Sequence, residues 1–146
     1  MKTILFVCTG NTCRSPMAAC LMNRLLQERG MTDWQAFSAG AAAFDGQPAS
    51  QQALRAMNRR GLNLAAHRSR TVTAEMLKEV DYLICISPWH LDMLKNTFGS
   101  LPPSIVIRPG IPDPYGGTDS EYEACAGMLE EILPSFLPAL KAAHKG

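Results

Sequence analysis

No apolar run in this 146-residue chain approaches the length needed to span a bilayer. Lys2 leads into a brief apolar run that stops at Cys8, so no signal peptide is expected and the cytoplasm is the expected compartment. The five cysteines, Cys8, Cys13, Cys20, Cys85 and Cys125, are odd in number and contain no C-x-x-C pair. That argues against the disulfide framework of a secreted domain. The three histidines lie far apart, which leaves a structural zinc site without ligands at the required spacing. Net charge is only +1, so binding of nucleic acid through bulk charge is not expected. The chain also lacks repeats, low-complexity tracts and linkers. With 47% apolar and 18% charged residues it can bury a core without staples, and one domain over residues 1–146 is expected.

What is present is unevenly distributed. Residues 1–70 hold nine Lys/Arg against three Asp/Glu, whereas residues 71–146 hold five against ten. The asymmetry is either incidental or the mark of a first half built around an anion.

The apolar pattern alternates between two periods. Thr3–Val7 is a short, β-branched run expected to be a buried strand. From Pro16 the apolar residues fall at helical spacing until Gly30, with Ser15 as the expected N-cap. Further strands are expected at 34–39, Val80–Ile86 and Ser104–Ile107. Further helices are expected at Ala49–Arg60, Leu91–Phe98 and Ser120–Leu133, with a break or kink at Pro134 and Pro138. Strands alternating with helices predict a single-domain α/β fold: a four-stranded parallel sheet with helices on both faces, Rossmann-like or flavodoxin-like. Ligands of such sheets bind outside the carboxyl ends of the strands. Three loops lie there: 8–15, 40–48 and 108–118.

The first loop, Cys8-Thr9-Gly10-Asn11-Thr12-Cys13-Arg14-Ser15, has the makings of an anion site. A loop running from a strand into a helix N-terminus can gather backbone N–H groups at the positive end of the helix dipole. Gly10 permits tight curvature, and Asn11 tolerates a left-handed backbone. Arg14 supplies a planar, bidentate donor for phosphate oxygens. The same field favours the thiolate of Cys8 and makes it a nucleophile. Taken alone, a cysteine at a strand end reads first as a small core residue and Arg14 as a surface charge; the full constellation reverses that reading. A nucleotide-binding P-loop is excluded, because the second glycine and the lysine of that pattern are absent.

These residues resemble the low-molecular-weight protein-tyrosine phosphatases, whose signature C-x5-R-S-P matches Cys8 to Pro16 in place. The resemblance extends to Ser38-Ala39-Gly40, His67-Arg68-Ser69-Arg70, Asp81-Tyr82 and Asp113-Pro114-Tyr115-Gly116-Gly117. It implies a phosphatase that needs neither metal nor cofactor and works through a cysteinyl-phosphate. Cys8 would attack, while Thr9, Gly10, Asn11, Thr12, Cys13, Arg14 and Ser15 hold the phosphoryl group. Asp113, stiffened by Pro112 and Pro114, would protonate the leaving group and then activate water. Tyr115 would form an aromatic wall. Phe44 would form a second wall or pack in the core. Asn11, Ser15, Ser38 and His67 match the family's supporting network. Cys13 could pair with Cys8 on oxidation. Cys20, Cys85 and Cys125 are expected to be buried, inert thiols.

Two branches of the family compete for the substrate. The general pattern implies protein phosphotyrosine. Thr12 implies phosphoarginine, because arginine phosphatases carry C-T-G-N-T-C-R-S, although they tend to have Phe where Tyr115 stands. An arsenate reductase would need relay cysteines close together, and Cys85 is followed only by Cys125. A phosphate-binding module without catalysis would need neither thiol nor acid. The expected partner is a phosphorylated protein, with a tyrosine kinase as one candidate by family analogy. A monomer is expected, with no nucleic acid and no membrane.

Overall fold

The apolar run before Cys8 forms strand β1 (Lys2–Cys8), and its neighbours explain why it is apolar throughout. In the computed structural model, which describes residues 1–143, β1 is paired on both sides. On one side lies β2 (Trp34–Gly40), with Cys8 opposite Gly40; on the other lies β3 (Tyr82–Cys85), with Val7 opposite Cys85. β4 (Ser104–Val106) completes a four-stranded parallel sheet in the order β2-β1-β3-β4. The expected architecture is the observed one.

Helices cover both faces, so alternate residues of β1 serve two cores. Ile4 and Phe6 enter the larger core, with residues of α1 (Arg14–Glu28), α2 (Gln51–Asn58) and α5 (Asp119–Ile132). Leu5 and Val7 enter the smaller one, with Leu77 of α3 (Ala74–Glu79) and Leu94 of α4 (Pro88–Phe98). The chain leaves β1 for one side of the sheet and crosses to the other for β3. The crevice at the carboxyl end of β1 is therefore the place where a ligand fits.

Strand β2 lies at an edge, yet its outward backbone groups are occupied. The Asn23 amide of α1 accepts from Ala36 N at 2.8 Å and donates to Ala36 O at 3.0 Å. Arg70 Nε donates to Ser38 O at 3.1 Å, and Gly40 forms an isolated parallel bridge with Thr71.

Three local expectations need correction. Ser15 is not the N-cap of α1: Cys13 holds that position without a side-chain bond, and the Ser15 hydroxyl turns to Cys8 and Asn11 instead. Helix α3 is additional; it has six residues, and Thr73 caps it by accepting from Met76 N. The proline-rich end does not merely kink. Leu133–Phe136 tighten into a 3-10 turn at Pro134, and Pro138 falls in the first turn of α6 (Leu137–Ala143).

The charge asymmetry has a structural use. Arg55 makes two bonds to Asp119, at 2.8 and 3.0 Å, and Arg59 bridges Asp119 and Glu123. Arg60 reaches Glu123 at 2.9 Å and Glu130 at 3.0 Å, and Arg24 joins Glu130 at 3.0 Å. The basic end of α2, the turn after it and α1 are thus matched to the acidic α5. Exposed pairs of this kind contribute about 0.2–1 kcal/mol each, so they orient the helices more than they hold them.

Candidate active site

The signature loop wraps a cleft of about 260 Å³ lined by Cys8, Thr9, Gly10, Asn11, Thr12, Cys13, Arg14, Ala42, Phe44, Gln47, Asp113 and Tyr115. The three loops singled out in the sequence therefore meet. β1 delivers Cys8, and α1 begins at Arg14, so the helix N-terminus stands directly behind the loop.

The loop keeps its shape because Asn11 is fixed from four sides. Asn11 is fully buried with φ +58°, a conformation Asn tolerates better than most residues. Its Nδ2 donates to Ser15 Oγ at 2.9 Å and Ser38 Oγ at 3.0 Å, while its Oδ1 accepts from Arg70 N at 3.0 Å. Its carbonyl oxygen lies 2.7 Å from His67 Nε2. A carbonyl only accepts, so His67 carries its proton on Nε2. Burial foremost, with Arg70 and Arg68 adding to it, lowers the His67 pKa against the opposing hydrogen bond from Asn11, which favours a neutral ring.

Ser15 passes this support to the sulfur. Its oxygen accepts from Asn11 and lies 2.8 Å from Cys8 Sγ, so its own proton is available to a Cys8 thiolate. Gly40 lets β2 approach closely: a Cβ there would collide with Thr9 O and come 2.7 Å from Ala43 Cβ. Ala41 N and Ala42 N donate to Cys8 O at 2.8 Å and Thr9 O at 3.1 Å, which clamps the loop to the second loop.

Arg14 is buried, at 7% exposure, and its NH1 donates to Ile111 O at 3.0 Å. Its NH2 lies 3.4 Å from Thr9 Oγ1 and 3.5 Å from Asp113 Oδ2. Asp113 is half exposed, and its Oδ1 accepts from Tyr115 N at 3.0 Å. The acid thus faces the cleft with one oxygen held by its own turn. Phe44 and Tyr115 stand at the mouth, 77% and 76% exposed. Phe44 is therefore no core residue.

Cys13 lines the same cleft, with its sulfur 3.1 Å from Tyr122 Oη and 3.7 Å from Ser50 Oγ. Of the remaining thiols, Cys85 and Cys125 are buried and burial pushes each up to about 12. Cys20 departs from expectation, being only half-buried at the wall of a separate groove. That groove, about 640 Å³, includes Ser38 and His67 in its lining, so these two support the signature loop from behind rather than facing the cleft.

Sequence reasoning missed Gln47 in the lining, Tyr122 against Cys13, and His90. His90 is buried beside Thr9, with Nε2 2.9 Å from Thr9 Oγ1. The signal was available: the loop after β3 also lies at the carboxyl edge of the sheet. Among the described residues no group of three or more His, Cys, Asp or Glu could hold a metal ion, and no helix is long and apolar enough to cross a membrane.

The model of the family described as low molecular weight phosphotyrosine protein phosphatase matches residues 3–145. A protein-arginine-phosphatase of Geobacillus stearothermophilus is 35% identical, the match covering 94% of this chain and 95% of the relative. A low molecular weight phosphotyrosine protein phosphatase of Sus scrofa is 30% identical, over 90% and 96%. Among solved structures, a low molecular weight protein tyrosine phosphatase from T. tengcongensis superposes with a TM-score of 0.89 at 30% identity, over 95% of this chain and 99% of the other. With sequence and fold agreeing over almost its whole length, the chain belongs to the low molecular weight phosphotyrosine protein phosphatases, a family of cysteine-based phosphatases.

Proposed function

We propose that the protein hydrolyses phosphotyrosine in protein substrates through a cysteinyl-phosphate. The observation that carries this is the cleft itself: a thiol at the floor, a buried guanidinium beside it, a carboxyl 3.5 Å from that guanidinium, and two aromatic rings at the mouth. Flat walls of Phe44 and Tyr115 suit a phenyl ring that carries its phosphate inward.

The chemistry follows from the donors. The Cys8 thiolate attacks phosphorus in line, so the S–P bond forms as the P–O bond to the tyrosine breaks. Arg14 and the loop amides of Thr9 to Ser15 hold the three phosphoryl oxygens, and Asp113 gives its proton to the departing oxygen. Asp113, now ionised, takes a proton from the incoming water. The water oxygen bonds to phosphorus, the S–P bond breaks, and Cys8 leaves as the thiolate with inorganic phosphate released. Ser15 stabilises that thiolate in both steps. The substrate is a phosphorylated protein, a tyrosine kinase among the candidates, and the enzyme acts as a cytoplasmic monomer. Under oxidation Cys13 would pair with Cys8 and shield it from further oxidation.

A second reading, protein-arginine phosphatase, is favoured by one observation. Thr12 lines the cleft, where its hydroxyl can contact a polar guanidinium or order water, and the 35% identical relative carries that activity in its name. Phosphate release from a phosphotyrosine peptide and a phosphoarginine peptide, for wild type and Thr12→Ile, decides. Preference for phosphotyrosine, little changed by Thr12→Ile, supports the first reading. Preference for phosphoarginine, reversed by the substitution, replaces it with the second. Silence on both peptides with phosphate still bound refutes catalysis.

A further inference from the structure

We propose that His90 is a positioning residue for phosphate binding, which sets the guanidinium of Arg14 through the hydroxyl of Thr9. The inference rests on the reading of Arg14 as the phosphate-holding group.

Donor count fixes the direction from Arg14, and the proposal places the His90 proton on Nδ1, which sets the others. Arg14 only donates, so Thr9 Oγ1, 3.4 Å from its NH2, accepts. Thr9 has one proton to give, and His90 Nε2 stands 2.9 Å away to receive it. The imidazole proton is then on Nδ1, which lies 2.9 Å from Ser87 Oγ and donates to it. The chain runs Ser87, His90, Thr9, Arg14, with every group used once and His90 only 1% exposed.

Two further observations separate this arrangement from ordinary packing. Ser87 is the N-cap of α4, a position where a serine hydroxyl normally accepts from the first turn, yet it makes no side-chain cap bond. Its hydroxyl is spent on His90. The second observation concerns the other partner of Arg14. Ile111 O, which receives NH1 at 3.0 Å, belongs to a residue whose N–H donates to Ile86 O at 3.1 Å. The loop can come that near because residue 110 is glycine; a Cβ there would come 2.8 Å from Ser87 Cβ. One corner of the fold, Ile86 to His90, therefore anchors two acceptors of the guanidinium, Ile111 O and Thr9 Oγ1, beside the carboxylate of Asp113. It does so by backbone on one side and by His90 on the other. A protonated ring would break this pattern by aiming a second donor at Thr9 and a second cation towards Arg14. Burial foremost, then Arg14, keeps the imidazole neutral down to about 4, with Asp113 pulling the other way.

The test measures inhibition by inorganic phosphate, kcat/KM and melting temperature for His90→Leu, His90→Gln, Thr9→Val and the His90→Leu/Thr9→Val double variant, with Arg14→Lys as control. His90→Leu and Thr9→Val should each weaken phosphate binding and kcat/KM by about tenfold, the loss of one hydrogen bond to a charged group. The double variant should be no worse than either single one, because both break the same chain. His90→Gln, which can still accept from Thr9, should recover most of the loss. Nitrogen chemical shifts of His90 in the wild type should report the Nδ1–H tautomer. Losses that multiply in the double variant, or a Thr9→Val that binds phosphate as wild type does, overturn the proposal. So does a His90→Leu that lowers only the melting temperature. If His90→Leu fails to fold, Thr9→Val and His90→Gln still decide. Unchanged phosphate binding in Arg14→Lys would instead overturn the reading of Arg14, whatever the other variants show.

Discussion

The floor of the cleft and its rim are built on opposite terms. At the floor, Asn11, Ser15, Cys8 and Arg14 are 7% exposed or less; Asn11, Ser15 and Arg14 are tied to partners far away in sequence, and Ser15 in turn holds Cys8. At the rim, Phe44 and Tyr115 are more than three-quarters exposed, and Asp113 is held only by its own turn and by Arg14. The floor has one geometry imposed on it by three strands and two loops. The rim borrows its position from the floor. Chemistry that must recur identically is placed where the fold is over-determined, and recognition is placed where side chains can change without cost to the fold.

The comparison breaks most visibly at Cys8. Cys8→Ser should lower turnover by more than about 10³-fold, while phosphate affinity measured by calorimetry is retained. Retained turnover would remove the nucleophile from the floor. Asp113→Ala comes next, because the rim carries one chemical group. Its loss should reach about 10²-fold or more with a poor leaving group and shrink with a good one; a uniform loss across a leaving-group series would deny it the acid role.

Asn11→Ala should show that floor residues are also structural. It removes three side-chain hydrogen bonds and puts alanine at φ +58°, for a cost of about 3 kcal/mol in urea unfolding. A cost below about 1 kcal/mol would mean that the loop holds itself. The pH dependence of stability tests the floor from the other side. The folded His90 pKa, about 4, lies below its unfolded value near 6.5, so the unfolded chain binds the proton first as pH falls. Full stability is present above about 6.5 and is lost progressively towards 4, by about 3 kcal/mol at the low end. His90→Gln should lack this component, and equal pH slopes for the two proteins would contradict it. The smallest effects belong to the rim. Phe44→Ala and Tyr115→Ala should leave the melting temperature unmoved and raise KM for an aromatic substrate by about threefold to tenfold. A drop in stability would place either ring in the fold after all.

The same division governs what the sequence disclosed. Alternating apolar periods were enough to place the four strands between their helices, most plainly β1 and β3, whose composition answers to burial on both faces. The signature loop was legible because its residues are contiguous. Helix α3 was not, since six residues of ordinary composition carry little periodicity and its signal is one cap, Thr73. Ser15 misled for a related reason: a serine before an apolar helix predicts a cap, and only tertiary structure shows its hydroxyl bonded to Cys8. His90 was silent because its partner is 81 positions away. Phe44 could not be placed from pattern at all, since an aromatic residue in a loop fits core and rim alike.

Asn23 has a consequence for solubility. A strand at the border of a sheet is a template on which a second molecule can add its own strand. β4 offers three residues for such growth, whereas β2 offers seven. The Asn23 amide, accepting and donating at Ala36, imitates one residue of the missing neighbour and fills its place from within the same molecule. With Arg70 on Ser38 and the bridge from Gly40 to Thr71 covering the far end, this side chain closes the middle of the edge to polymerisation, and Asn23→Leu should register in light scattering of concentrated protein long before it registers in catalysis.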